Sequence, residues 1–354
     1  MPPKLSGAPK PKDHISYSEI TTFLQCRRLW GYRYYHRVYP KLSNKNFLLG
    51  TAVHRALAQY YDPEDKQAQD RGVAAVTRYY DEVEQTYNHI REVTGAEPED
   101  DIQEALSTGG DMMVQYVAWA PQNDTWESRG VEVHVSAPVI DNISLVGYID
   151  LLAWEPEEQA SWIVDHKTYA QFRQPDANSV FLDLQGTVYM WAVMQDEILR
   201  GKGFQGIIYN MLSKRPPSFP KQLKNGQLSK NKAQRTTPEL YTQRVLELGL
   251  DLKDYEDFIA TMTGADRFNK RLPIAVSDAR LNWFDKYIRV LAHIIANTYD
   301  AGEVALLPTI SRRCDYCEYA PLCKRFMEGI DWRTMEEQFV YDPKHNVTVE
   351  EDED

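Results

Sequence analysis

No stretch of this 354-residue chain approaches the ~20 apolar residues of a membrane span. Residues 1–12 are rich in proline and lysine and lack the apolar core of a secretory signal. The expectation is a cytoplasmic protein that does not engage a membrane. Cysteine is scarce, at four residues; in a cytoplasmic chain such thiols point to metal ligands or free thiols before disulfides. Positive charge is in deficit, with a formal net charge of −12. That does not favour a protein that coats nucleic acid by charge alone, but leaves open one that meets phosphate through a local patch or a bound cation. The chain has no GxxxxGK[ST] phosphate loop, hence no helicase motor of its own. It has no helix-turn-helix or zinc-finger spacing and no internal repeat.

What is present is a globular composition, 43% hydrophobic with 22 Tyr and 8 Trp, which argues against disorder. Residues 1–13 read as a flexible tail. Ser18 is a helix N-cap candidate, followed by Phe23, Arg27, Trp30 and Tyr34 at helical spacing. A second helix is predicted over 46–61, entered through Gly50. Acidic-surfaced helices over 67–92 and 101–119 make a helical insert at about 62–125. The period then changes to two: Val131, Val133 and Val135 alternate with polar residues, and strands are predicted over 143–154, 161–168 and 206–212. Helices are predicted over 182–199, 238–258 and 277–302. The whole reads as one α/β domain over 14–330, with its core at about 130–212 and an acidic tail from 331.

The sharpest constellation is Gly147-Tyr148-Ile149-Asp150 followed by Val164-Asp165-His166-Lys167-Thr168. A hairpin centred on the turn at 156–158 places Asp150 opposite Asp165, and Lys167 two residues on shares that face. Apolar neighbours Leu151, Leu152, Trp162, Ile163 and Val164 make the hairpin buried rather than a surface ion pair. Opposed buried carboxylates repel unless a divalent ion lies between them, and oxygen ligands suit Mg²⁺ or Mn²⁺. Such an ion activates water against a phosphodiester. Lys167 is placed to orient that water or to stabilise charge on the phosphate.

Two other features stand apart. Cys314-x-x-Cys317 and Cys323 cluster near one end, while Cys26 lies near the other. Four thiolates suit tetrahedral Zn²⁺ or an iron–sulfur cluster. The segment 213–238 is basic and rich in helix breakers, carrying Lys214, Arg215, Lys221, Lys224, Lys230, Lys232 and Arg235. It is a candidate DNA contact, with Phe219 available for stacking.

Asp150, Asp165 and Lys167, with Gly50-Thr51-Ala52-Val53-His54 upstream and Gln185-x-x-x-Tyr189 downstream, resemble the PD-(D/E)xK nuclease superfamily, in particular RecB-type exonucleases. The resemblance runs from Tyr17 to Cys323 in the family's order. It implies a restriction-endonuclease-like core, a mixed central sheet flanked by helices. It implies a metal site of His54, Asp150, Asp165 and the His166 backbone carbonyl, with Lys167 as catalytic lysine and Gln185 and Tyr189 positioning it and the DNA. Glu132 lies where some members carry a further acid. The split cysteines resemble the iron–sulfur nucleases of AddB-like and CRISPR-adaptation type, which implies a structural [4Fe–4S] cluster rather than zinc, joining the two ends. Where those proteins carry proline after the first cysteine, this chain has Arg27 and Arg28, added charge for DNA.

The implied activity is a metal-dependent DNA exonuclease of recombination, repair or phage DNA processing, in bacterial or phage-infected cytoplasm. Its DNA would be single-stranded or have free ends. Its partners would be a recombination, helicase or single-strand-binding protein. Three alternatives follow from the same residues: a CRISPR-adaptation-type end-trimming nuclease, a non-catalytic iron–sulfur DNA-binding subunit of a helicase–nuclease complex, and a zinc-stapled structural protein.

Overall fold

The computed structural model describes residues 12–41, 45–64, 70–95, 97, 99–170, 183–262, 264 and 267–342. Its strands are β1 (His14–Ile15), β2 (Val38–Pro40), β3 (Glu127–Ile140), β4 (Ile143–Glu155), β5 (Ala160–Tyr169), β6 (Phe204–Ser213), β7 (Asn269–Ala275) and β8 (Phe339–Tyr341). The main helices are α1 (Tyr17–Gln25), α2 (Lys45–Tyr61), α3 (Arg71–Thr94), α4 (Gly110–Trp119), α5 (Gln185–Gln195), α6 (Pro238–Glu247), α7 (Asp278–Ala301) and α8 (Ala320–Met327). No described helix is long and apolar enough to cross a membrane.

Strands β1, β3, β4, β5, β6 and β7 make one mixed sheet, while β2 and β8 pair separately. Short polar turns make the two hairpins, with Ile140 paired to Ile143 and Glu155 to Ala160. The parallel pairing of β5 with β6 needs a crossover, and α5 lies within it. One face of the sheet is covered by α1, α5 and α7, whose Phe23, Trp191 and Phe284 share a core with Ile163 and Ile207. The other face is covered by α2 and the predicted helical insert: Leu57 of α2, with Tyr79 and Tyr116 of α3 and α4, packs with Leu151, Val164 and Ile208. The α/β fold with a mixed sheet flanked by helices is therefore as expected.

One detail of the sheet makes the site. β3 runs along one edge of β4, pairing with Ser144 and Leu145 as well as with Leu151 to Trp154. A strand has two edges, so β1, which pairs with Ser144 and Leu145, and β5, which pairs with Leu151 to Glu155, share the other. Between them, residues 146–150 have no ladder partner on that edge among the described residues. The sheet forks there. At the same level β3 and β4 exchange faces: Val131 and Leu151 pack in one core, Val133 and Ile149 in the other. The residue between them in β3, Glu132, has φ +48°, a left-handed conformation that reverses the alternation.

Several boundaries differ from expectation. The helix predicted over 238–258 breaks after Glu247, because Gly249 adopts φ +64° and turns the chain. β7 was not predicted, since Lys270, Arg271 and Pro273 give it no apolar alternation; Pro273 is tolerated because β7 is an edge. The N-terminal tail is anchored from Lys12 onward, through Lys12–Glu19 at 2.7 Å and Ser144 N–H donating to the Asp13 carbonyl. The acidic tail does not begin at 331: Trp332 and Phe339 are buried and β8 pairs with β2. Residues beyond 342 lie outside the description. The basic segment is a packed excursion, with Leu228 buried against Tyr241, Val245 and Tyr255.

Candidate active site

The fork in the sheet is where the predicted charges meet. The observed pairing of Leu151 with Val164 is the register that sets Asp150 against Asp165, and the ladder stops one residue short of them. Asp150 Oδ2 accepts the His166 backbone N–H at 2.7 Å and lies 3.2 Å from Nδ1 of His54, which α2 delivers from the insert face. Asp165 and Lys167 point to the opposite face, with Lys167 Nζ 2.8 Å from Asp165 Oδ2. From α5, Gln185 Nε2 donates to Asp165 Oδ1 at 2.6 Å.

Burial and pairing pull the two acids apart. Burial raises the Asp165 carboxyl, and the Asp150 charge adds to this against the Lys167 ammonium, leaving it at about 6. Burial would raise Asp150 too, but the charge and hydrogen bond of His54, then the His166 amide, bring it down to about 2. His54 and Lys167 are held above their ordinary values, against burial, by the same carboxylates. One acid is thus firmly ionised and its neighbour is close to protonation.

Two carboxylates and an imidazole are suitable donors for a hard divalent cation. Among the described residues, however, no three His, Cys, Asp or Glu side chains converge closely enough to hold a metal ion. The carboxylates are turned to His54, Lys167, Gln185 and an amide instead.

The other predicted residues are found as follows. Gln185 grips Asp165 rather than Lys167. Tyr189 packs on Gly147, where even a Cβ would come within 3.0 Å of its ring. Glu132 sits 3.6 Å from Arg55, its carboxyl raised by burial and by Asp150. The basic segment is rooted just beyond the lysine, with Lys214 N–H donating to the Tyr169 carbonyl at 2.6 Å. Arg215, Lys221, Lys224, Lys230, Lys232 and Arg235 are exposed, although Lys230 is tied to the Asp254 carbonyl at 2.6 Å. Arg28 is buried at 1% exposure and cannot reach DNA; Arg27 is exposed.

All four thiols are free. Cys26 Sγ accepts the Thr309 N–H at 3.3 Å and Cys314 Sγ the Ser311 N–H at 3.5 Å. Burial raises the Cys323 thiol, and the charges of Cys26, Cys314 and Cys317 add to this against that of Arg28, but no three of the described thiols converge closely enough to hold a metal ion.

Sequence reasoning missed Asp183. Its carboxylate accepts Tyr17 Oη–H and Tyr209 Oη–H, each at 3.0 Å, and the Gln185 N–H at 2.9 Å. It also missed Asn210, for which a signal existed: an amide inside the apolar run of β6 needs partners when buried.

Residues 14–324 match the sequence model of the PD-(D/E)XK nuclease superfamily. The chain belongs to this superfamily. Nucleases of this kind usually work with Mg²⁺ or Mn²⁺ and act on DNA. No curated protein matches the sequence. A crystal structure of a candidate exonuclease from Eubacterium rectale is similar at 11% identity, over 87% of this chain and 88% of that one, with a TM-score of 0.44.

Proposed function

We propose that this nuclease is a metal-dependent exonuclease that hydrolyses DNA from free ends, in recombination, repair or phage DNA processing. The observation that carries the reading is the meeting of His54, Asp150, Asp165 and Lys167 at the fork. In it, His54, Asp150, Asp165 and the His166 carbonyl would hold Mg²⁺ or Mn²⁺. Such an ion, when bound, polarises the phosphodiester and acidifies water. Lys167 orients the attacking water and meets charge on the phosphate. Gln185 keeps Asp165 aimed, and Tyr189, against Gly147, lines the approach of the strand. The exposed cations of the basic segment contact phosphates as DNA enters.

Cys26, Cys314, Cys317 and Cys323 would hold a [4Fe–4S] cluster with a structural role. The N–H groups aimed at two of the sulfurs suit thiolate ligands.

The test uses end-labelled linear DNA beside closed circular DNA, with Mg²⁺ or Mn²⁺, and compares wild type with Lys167→Ala. Loss of linear DNA alone, abolished by the substitution, is expected. Cutting of the circle would make it an endonuclease. Intact DNA with a folded, cluster-loaded wild type would instead point to a DNA-binding subunit.

A further inference from the structure

Behind the fork lies a buried chain of hydrogen bonds that the proposed chemistry does not use. It starts at Arg271 on β7, whose guanidinium lies 3.8 Å over the Trp126 ring and 4.9 Å over that of Trp119. Arg271 binds the Asp124 carboxylate and the Asn123 carbonyl. Tyr61 Oη donates to Asp124 Oδ1 at 2.9 Å and lies 2.7 Å from Tyr116 Oη. Asn210 Nδ2 on β6 lies 2.7 Å from Tyr116 Oη and 2.9 Å from His166 Nδ1. The chain thus runs from an edge strand, through α2 and α4, back to the middle residue of Asp165-His166-Lys167.

Its direction is set from the charged end. A carboxylate can only accept, so the Tyr61 proton goes to Asp124, and the Tyr116 proton must then go to the Tyr61 oxygen. Tyr116 is left as an acceptor, which calls for the Asn210 N–H₂. The second hydrogen of that group goes to His166 Nδ1. The Tyr61 ring also stacks on the imidazole, with centroids 5.9 Å apart and planes 16° apart, and His54 meets it edge-on at 6.0 Å. His166 is 1% exposed and is held by ring faces and a directed hydrogen bond. Asn210 Oδ1 has no partner among the described residues, an arrangement that stability alone does not favour.

The His166 side chain points to the insert face, while its own N–H grips Asp150 and its chain neighbours are Asp165 and Lys167. Fixing the ring therefore fixes the peptide that spaces the two acids. We propose that Asn210, Tyr116 and Tyr61, anchored by Asp124 and Arg271, are positioning residues that set the separation of Asp150 and Asp165 for divalent-ion binding. The inference rests on the metal-dependent reading above. It makes the helical insert part of the catalytic apparatus and not only a cover for one face of the sheet.

The test titrates Mn²⁺ calorimetrically into intact protein, and follows it with steady-state cleavage of linear DNA. It compares wild type, Tyr116→Phe, Asn210→Ala and a control, Tyr79→Phe. Tyr79 is in the same insert and is equally buried, and its hydroxyl donates to the Ala105 carbonyl at 2.7 Å, away from the chain of bonds. Loss of partners behind metal ligands weakens metal binding about 10–100-fold. At least about tenfold weaker Mn²⁺ binding and a lower kcat with unchanged KM for DNA are expected of Tyr116→Phe and Asn210→Ala. Tyr79→Phe should lower the melting temperature comparably and leave both constants alone. Wild-type-like Mn²⁺ binding in both relay variants overturns the inference alone. A wild type that binds no Mn²⁺ overturns the metal-dependent reading and this inference with it.

Discussion

Two regions of the molecule gather charges, and they do so to opposite ends. At the fork, His54, Asp150, Asp165 and Lys167 are set against one another within hydrogen-bond reach, each shifted by its neighbours. At the clasp between the chain's two ends, one buried arginine is held by an ion pair and by ring faces, its Nε and Nη2 having no hydrogen-bond partner among the described residues. Arg28 donates to Glu303 at 2.5 Å and lies 3.7 Å over the Phe326 ring and 4.6 Å over that of Tyr32. Glu303 also meets His36 at 2.8 Å and Arg333 at 3.5 Å. Beside it, Tyr32, Val38, Tyr319, Leu322, Trp332 and Phe339 make a small core of their own. The clasp is therefore fastened by packing and an ion pair as well as by any bond its thiols make, with Cys317 and Cys323 themselves packed against the small core. A site keeps its charges in competition so that a ligand can rearrange them, whereas a fastening resolves them.

The contrast can be broken in four ways. The largest effect is expected from Lys167→Ala, which removes a positioned charge at the reacting centre. Its initial rate on linear DNA should fall by about 10³-fold, while its thermal melt stays close to wild type. A variant that loses its fold instead would make Lys167 a fastening after all. Arg28→Ala should do the reverse, because it opens a cavity among aromatic rings and takes from Glu303 its buried partner. A loss of about 3 kcal/mol in urea unfolding is expected, with Mn²⁺ affinity at the fork unchanged.

Removal of the proposed cluster by chelation, or Cys323→Ala, should cost less, about 2 kcal/mol by analogy with a cross-link. The far-ultraviolet dichroism should persist, since Arg28 and the small core remain. Global unfolding on chelation would show that the thiols carry the clasp alone. The smallest effect is one of pH. Burial opposes ionisation of Glu303, but its bonds to His36 and Arg28 hold its carboxyl down at about 2, below an ordinary 4.5. A carboxyl depressed in the folded state adds stability above its unfolded value and loses it as pH falls through its folded one. Discounted for its partial exposure, the contribution is about 1 kcal/mol. Unfolding curves of wild type and Glu303→Gln should differ at pH 6 and converge as pH falls from 4.5 towards 2. A gap that persists below pH 2 would mean that Glu303 acts through packing rather than charge.

Much of the fork could be read before any coordinates. Strand alternation and a short polar turn are local signals, and together they set the register that brings Asp150 and Asp165 level. The helix carrying His54 and the i, i+4 pair Gln185 and Tyr189 were legible for the same reason. The clasp was not, because Arg28 and Glu303 are 275 positions apart and no periodicity relates them. The face exchange at Glu132 escaped because it depends on a left-handed backbone that glutamate seldom adopts. Asn210 was visible as an oddity in an apolar strand, but its partners come from α4 and β5 and could be supplied only by the fold.

The pairing of β2 with β8 sets a schedule for the newborn chain. Pro40 lies opposite Phe339, and at roughly 5–20 residues per second the ribosome needs on the order of 15–60 s to bridge that interval. For that time β2 is an unmatched edge, with Val38 and Tyr39 bare. Assembly of the small core thus waits on synthesis of residues 339–341, and a chaperone that shields short edge strands would find its substrate in β2.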